Sequence, residues 1–159
     1  MCDVLHELHQ KIEEGGQEID IVGHSLGGIL AVSLAQRSKL VKHVVTLSSP
    51  FGGSSLAAIM RFFAPNTIMN DVHPQSKLLV DARSNPLTIP VLSVVTTGGR
   101  SPMIPEPNDG VVSILSQKAL YGPEYVERSV NHFEVLLDVD TARIISDFIW
   151  CPTRRPYFS

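Results

Sequence analysis

A chain of 159 residues, 43% hydrophobic and 18% charged with a formal net charge of −3, has the length for one domain built on a single ordinary core. Its mild negative balance gives no electrostatic reason to expect nucleic acid or an anionic membrane as partner, and no apolar run approaches the roughly 18 residues of a membrane span. With no basic-then-apolar leader pattern at the N-terminus the expectation is a soluble, cytoplasmic protein, or a secreted one if that terminus is incomplete, and Cys2 and Cys151, far apart and without metal-ligand spacing, read as free thiols.

From Val4 to Glu14, Leu5, Leu8 and Ile12 recur at helical spacing, and Gly15-Gly16 ends the helix. A short strand, Ile19 to Val22, runs straight into Gly23-His24-Ser25-Leu26-Gly27-Gly28, after which Ile29 to Gln36 reads as a buried helix. Val41 to Ser48 is the next strand, broken by Pro50 to Gly53. The segment Leu56 to Ala82 carries apolar residues at helical spacing interrupted by Pro65 and Pro74, which predicts a helical, cap-like insertion over about 54–84. Pro90 to Thr97 is continuously apolar, as a strand covered on both faces is. A turn-rich loop with Pro105, Pro107, Asn108 and Gly110 follows, then a fourth strand, Tyr125 to Val130, and an amphipathic helix, Thr141 to Trp150. Strands alternating with helices predict one α/β domain over 1–159 with a mostly parallel sheet and flanking helices.

A Gly-x-Ser-x-Gly pentapeptide by itself is weak evidence, so its context decides. Ser25 follows a predicted strand and precedes a predicted helix, the setting in which a sharp turn lifts a serine oxygen above a sheet. Gly23 and Gly27 are both expected to be glycine because the turn brings backbone too close for a Cβ. The helix start aims free N–H groups at the place where an oxyanion would form, making the Leu26 N–H the first expected oxyanion donor. A serine nucleophile needs a base, and the base an orienting acid, which follow in the order acid then histidine along such a chain. Asp109, in Asn108-Asp109-Gly110-Val111-Val112, and His132, in Asn131-His132-Phe133, both lie just past predicted strands, where the crevice of a parallel sheet opens. The competing residues have plainer readings. His6 and His9 belong to the wet face of the first helix, His43 begins a strand at the far end, Asp138 and Asp140 look like helix caps or first-turn charges, and Asp81 lies in the insertion. His73 is the other histidine able to approach the cleft, and Glu106 is the alternative acid.

These residues resemble bacterial triacylglycerol lipases and related lipase-like α/β-hydrolases. The matching stretches are Val22 to Gly28, Thr46-Leu47-Ser48-Ser49-Pro50, Asp71-Val72-His73-Pro74-Gln75-Ser76, Asn108 to Val112, and His132, so the likeness runs from about residue 4 to residue 149. It implies the α/β-hydrolase fold and acyl transfer, in which Ser25 attacks an ester carbonyl, His132 moves the proton and Asp109 orients the imidazole. That chemistry calls for no metal or organic cofactor. His24, Phe51, Met60 and Phe63 are the candidate substrate-binding side chains, the last two in the Met- and Phe-rich insertion, where they either receive an acyl chain or simply pack helices onto the sheet.

The family usually has three or four strands ahead of the serine strand, one followed by a His-Gly type second oxyanion donor, whereas here only a helix precedes Ile19. The domain thus reads as truncated on its N-terminal side. Loss of one oxyanion donor costs roughly a hundred- to a thousandfold in turnover, and Phe51-Gly52-Gly53 in place of the family's usual residues leaves that loop's contribution open. Strand 19–22 would then be an edge, suited to self-association or to a partner strand. An ester or lipid hydrolase is the leading reading. An acyltransferase or thioesterase with the same three residues, or a non-catalytic remnant serving as a binding module, are the alternatives.

Overall fold

A computed structural model describes residues 2–53 and 77–151. Helix α1 (Cys2–Gly15) leads to strand β1 (Ile19–His24), helix α2 (Leu26–Ala35) and strand β2 (Val41–Leu47). After the undescribed stretch come helix α3 (Lys77–Ser84), strand β3 (Val91–Thr96), the one-turn helix α4 (Ile114–Gln117), strand β4 (Glu124–Arg128), a 3₁₀ turn (Glu134–Leu136) and helix α5 (Val139–Trp150). The strands lie in the order β1-β2-β3-β4, every neighbouring pair parallel. The expected α/β fold and its four strands are therefore present within a residue or two. Of the expected cap-like insertion over about 54–84, residues 77–84 form α3, which packs Leu78, Leu79 and Ala82 into the core, and residues 54–76 lie outside the described residues.

Both faces of the sheet are covered, which is why β3 is buried along its whole length. On one face α1, α2 and α3 contribute Leu5, Ile29, Val32 and Leu79 to a core that includes Val44 of β2 and Val91 of β3. On the other face Val45, Leu47, Leu92 and Val94 pack against Val126 of β4 and Ile144 and Phe148 of α5. Alternate residues of β2 and β3 thus point to opposite cores. Between these strands sits a buried hydroxyl pair: Thr46 and Ser93 are register partners, and Thr46 Oγ1 donates to Ser93 Oγ at 3.1 Å.

Strand β1 is at the edge of this sheet, and its side chains alternate between half-buried and exposed up to Val22, 47% exposed. Asp138 caps α5, its carboxylate accepting from the Thr141 N–H at 3.1 Å, as its position before the helix suggested. His43 bonds Asp20 across the β1–β2 pair at 2.8 Å and meets Phe148 edge-on, away from the serine turn.

Candidate functional site

The backbone turns from β1 into α2 at Ser25, whose φ of 54° and ψ of −122° no L residue adopts without strain. Two features hold the turn. The Ser25 N–H donates to Leu47 O at 2.8 Å, tying it to the end of β2, and the Gly28 N–H donates back to Ser25 O at 3.1 Å. A Cβ on Gly23 would lie 2.5 Å from the Gly27 carbonyl carbon and 2.6 Å from Gly28 N, so only glycine fits there, as expected. The expectation for Gly27 is corrected: a Cβ there meets nothing within 4 Å among the described residues. The second constrained glycine is Gly28, where a Cβ would overlap Ser49 Oγ and sit 2.9 Å from Ser49 Cβ. Helix α2 therefore packs its first turn directly on the end of β2, and the pentapeptide's second glycine is not the one that packing selects.

Ser25 caps no backbone N–H with its side chain, and its Oγ is buried without a hydrogen-bond partner among the described residues. Leu26 is the first residue of α2, where helix geometry provides no intrahelical acceptor for the N–H. By contrast, the loop after β2 has its N–H groups committed: Phe51 to Ser49 O, Gly52 to Ser116 O and Gly53 to Pro50 O. Phe51 itself is fully buried in the core on the α2 face, where it packs. Met60, Phe63 and His73 lie outside the described residues.

The ends of β3 and β4 deliver Asp109 and His132 to each other. His132 Nδ1 lies 2.9 Å from Asp109 Oδ2, both side chains almost wholly buried, and the His132 N–H also donates to Asp109 O at 3.0 Å. Asp109 is surrounded by donors. Val111 N and Val112 N donate to Oδ1 at 2.9 and 2.7 Å, while Thr96 Oγ1 and Gln117 Nε2 donate to Oδ2 at 2.6 and 3.2 Å. Burial raises the pKa of this carboxyl, but the bond and charge of His132, with the bonds from Thr96 and Val112, outweigh burial and hold it below the usual carboxylate range. A carboxylate accepting this many donors has no place for a proton of its own, so the proton between it and His132 belongs to Nδ1. A neutral imidazole then presents a bare Nε2, and that atom is buried without a hydrogen-bond partner among the described residues. The arrangement is that of a base oriented by an acid.

His24 joins the two halves of the site. Its Nε2 lies 2.8 Å from His132 O, which can only accept, so the ring carries its proton on Nε2. Its centroid is 4.7 Å from that of His132. Burial first, against the raising effect of the bond to His132 O, lowers its pKa and keeps it neutral. This ring, next in the chain to Ser25, is thus committed to the backbone of His132. The alternative acid Glu106 is exposed, and a cavity beneath the 97–108 loop is lined by Thr97, Arg100, Ser101, Ile104 and Asn108 and by none of Ser25, Asp109 and His132. No three His, Cys, Asp or Glu side chains gather as a metal site would among the described residues, and no described helix is long and apolar enough to cross a membrane.

A family model described as PGAP1-like alpha/beta domain matches residues 3–137, a span that takes in the strained serine between β1 and α2 and the acid and histidine past β3 and β4. The chain belongs to the PGAP1-like α/β domain family. No curated protein sequence matches it. Among solved structures, the PGAP1-like domain is similar to a lipase-esterase related protein from Clostridium acetobutylicum, with a TM-score of 0.63 and 16% identity over 91% of this chain and 74% of that one. It is similar to the monoacylglycerol lipase of Paleococcus ferrophilus, with a TM-score of 0.62 and 16% identity, covering 91% of this chain and 73% of that one. A third is the esterase domain of a Rhodothermus marinus protein, with a TM-score of 0.58 and 19% identity over 86% of this chain, which spans only 59% of that domain. These likenesses establish the fold: the PGAP1-like domain has the α/β-hydrolase architecture on which lipases and esterases are built.

Proposed function

We propose that this PGAP1-like domain is a serine hydrolase that cleaves a carboxylic ester through Ser25, His132 and Asp109. The observation that carries the reading is a complementary pair of buried, unpartnered atoms. Ser25 Oγ and His132 Nε2 belong to residues linked through His24, and among the described residues each lacks the partner that buried polar atoms ordinarily have. Two other buried hydroxyls, those of Ser33 and Ser116, are also unpartnered among the described residues, so what sets this pair apart is the strained turn under Ser25 and the Asp109 bond that orients His132. Ser25 attacks the ester carbonyl, its proton passes to His132 Nε2, and the imidazolium returns that proton to the leaving alcohol, Asp109 holding the ring throughout. The Leu26 N–H and the positive end of α2 stabilise the oxyanion.

An acyl chain is the proposed substrate feature, because apolar side chains stand exposed beside the base: Phe133, 5.1 Å from the His132 ring, then Leu136 and Leu137. A fluorophosphonate probe tests the nucleophile: labelling of wild type and none of Ser25→Ala supports the assignment, and equal labelling of both removes it. For the acyl chain, kcat/KM on p-nitrophenyl esters should rise from acetate towards medium chains, by up to about fourfold per methylene buried at about 0.8 kcal/mol each. A flat series would make the substrate a small ester.

A further inference from the structure

The buried polar cluster behind Asp109 contains more residues than the orientation of one imidazole requires, and they come from three separate segments. Gln117, at the end of α4, and Thr96, at the end of β3, are each at most 1% exposed, as is Ser48 just past β2. Gln117 makes a closed set of bonds. Its Oε1 accepts from the Thr96 N–H at 2.8 Å, and its Nε2 donates to Thr96 O at 3.1 Å and to Asp109 Oδ2 at 3.2 Å. The amide orientation is forced, since an N–H can only donate and a carbonyl and a carboxylate only accept. Thr96 gives its hydroxyl proton to Asp109 Oδ2, so the 2.8 Å contact between Ser48 Oγ and Thr96 Oγ1 has Ser48 as donor. Ser48 takes part with φ at 52°, one of two non-glycine residues of positive φ among the described residues; the other is Ser25. A backbone held in a costly conformation so that its hydroxyl completes a buried network is a sign of imposed geometry.

We infer that Gln117 and Thr96 are positioning residues, two donors that fix the Asp109 carboxylate so that Oδ2 faces His132 Nδ1, with Ser48 locking the Thr96 hydroxyl behind them. The inference rests on the hydrolase reading for its catalytic consequence and on the hydrogen-bond geometry alone for its structural one. Without the two side-chain donors, Oδ2 would keep only His132, and the carboxylate could rotate about the bonds from Val111 and Val112 to Oδ1. The ring would then lose its fixed partner. Gln117→Met removes the Nε2 donor at nearly constant length and adds no charge beside Asp109. Thr96→Val removes the other donor at nearly constant volume, and Thr96→Ser restores a hydroxyl.

The test uses the full chain and reads four quantities: the melting temperature, kcat and KM on a p-nitrophenyl ester, and the far-downfield proton resonance of His132 Nδ1, assigned by its loss in His132→Gln. The expected result for Gln117→Met and Thr96→Val is a folded protein, a fall in kcat of about ten- to a hundredfold with KM within about threefold of wild type, and a shifted or lost Nδ1 resonance. Thr96→Ser should recover both kcat and the resonance. Folded variants with wild-type kcat and an unmoved resonance would overturn the inference, leaving Gln117 a brace for the Thr96 backbone. Failure of both isosteric variants to fold would overturn it as well, by making the cluster structural. Because the resonance needs no substrate, its displacement in a protein that cleaves no ester would uphold the positioning and defeat only the hydrolase reading.

Discussion

Replacing Asp109 by Asn exchanges one oxygen for an amide and puts the proposed mechanism at risk in a calculable way. The new side chain has two orientations. If its NH₂ takes the place of Oδ1 it faces the buried Val111 and Val112 N–H groups, leaving two donors unpaired at about 1–3 kcal/mol each. If it takes the place of Oδ2 it faces Thr96, Gln117 and His132. The Thr96 hydroxyl can turn and accept, and His132 can accept at Nδ1 by moving its proton to Nε2, so only Gln117 is left opposed. The second orientation therefore wins, and the imidazole is held with a proton where the base lone pair should be. Loss of the correct tautomer in other triads lowers kcat by about 10⁴-fold, equivalent to about 5.4 kcal/mol at the transition state. The expected outcome for Asp109→Asn is a fall of that order in kcat and in fluorophosphonate labelling rate, with KM little changed and a cooperative melt retained. A folded Asp109→Asn protein whose kcat stays within about tenfold of wild type would refute the assignment of Asp109 as the orienting acid.

The glycines of the serine turn separate under alanine substitution: Gly27→Ala should leave the urea midpoint unchanged or raise it, by up to about 1 kcal/mol of helix propensity. Gly28→Ala and Gly23→Ala should destabilise by about 1–3 kcal/mol or more, and equal behaviour of all three would contradict the packing of α2 on β2. His24 makes stability depend on pH. Burial holds its folded pKa below 6.5, so the unfolded chain takes up a proton first, and stability is lost as pH falls from 6.5 towards the lower folded value. His24→Gln keeps a donor for His132 O without titrating, and its urea midpoint should fall less than that of wild type between about pH 7.5 and about pH 5; parallel curves would show that His24 does not titrate with folding. Finally, edge strand β1, with Val22 47% exposed, should support self-association in sedimentation velocity, and Val22→Lys should reduce it; a wild-type monomer throughout the micromolar range would show the edge to be protected.

What could be read in advance follows from how far apart in the sequence the determining contacts lie. Ser25 announces itself because strand, turn and helix are contiguous, and Asp109 and His132 are reachable because the one lies in the turn-rich loop that follows apolar β3 and the other shortly past β4. Gln117 and Thr96 carry no such local signal. A glutamine ending a one-turn helix and a threonine ending an apolar strand look ordinary until folding brings them within 3.3 Å of each other and of a carboxylate. Helix α4 and the 3₁₀ turn escape periodicity arguments because neither is long enough to show a period. Gly27 and Gly28 could not be told apart for the same kind of reason: the atom that excludes a side chain from Gly28 belongs to Ser49. His24 reads in sequence only as a candidate substrate-binding side chain beside the serine, since the His132 carbonyl that its ring bonds is 108 residues away.

The Thr46–Ser93 pair bears on how the central strands find their alignment. Because β2 and β3 are apolar on both faces, sliding one past the other exchanges valine for leucine or valine and gives up little hydrophobic energy, so the alternation that fixes one-sided sheets is silent here. The hydroxyls are not silent. In the native register Thr46 meets Ser93 and, beyond the strand ends, Ser48 meets Thr96, whereas a one-residue slip separates both pairs and leaves the buried Thr46 and Ser93 oxygens facing aliphatic carbon at about 1–3 kcal/mol each. These two pairs work as notches on an otherwise smooth rail. They set the relative heights at which β2 and β3 end, and with them the heights at which the serine turn, tied to Leu47, and the Asp109 loop, tied to Thr96, are held above the sheet.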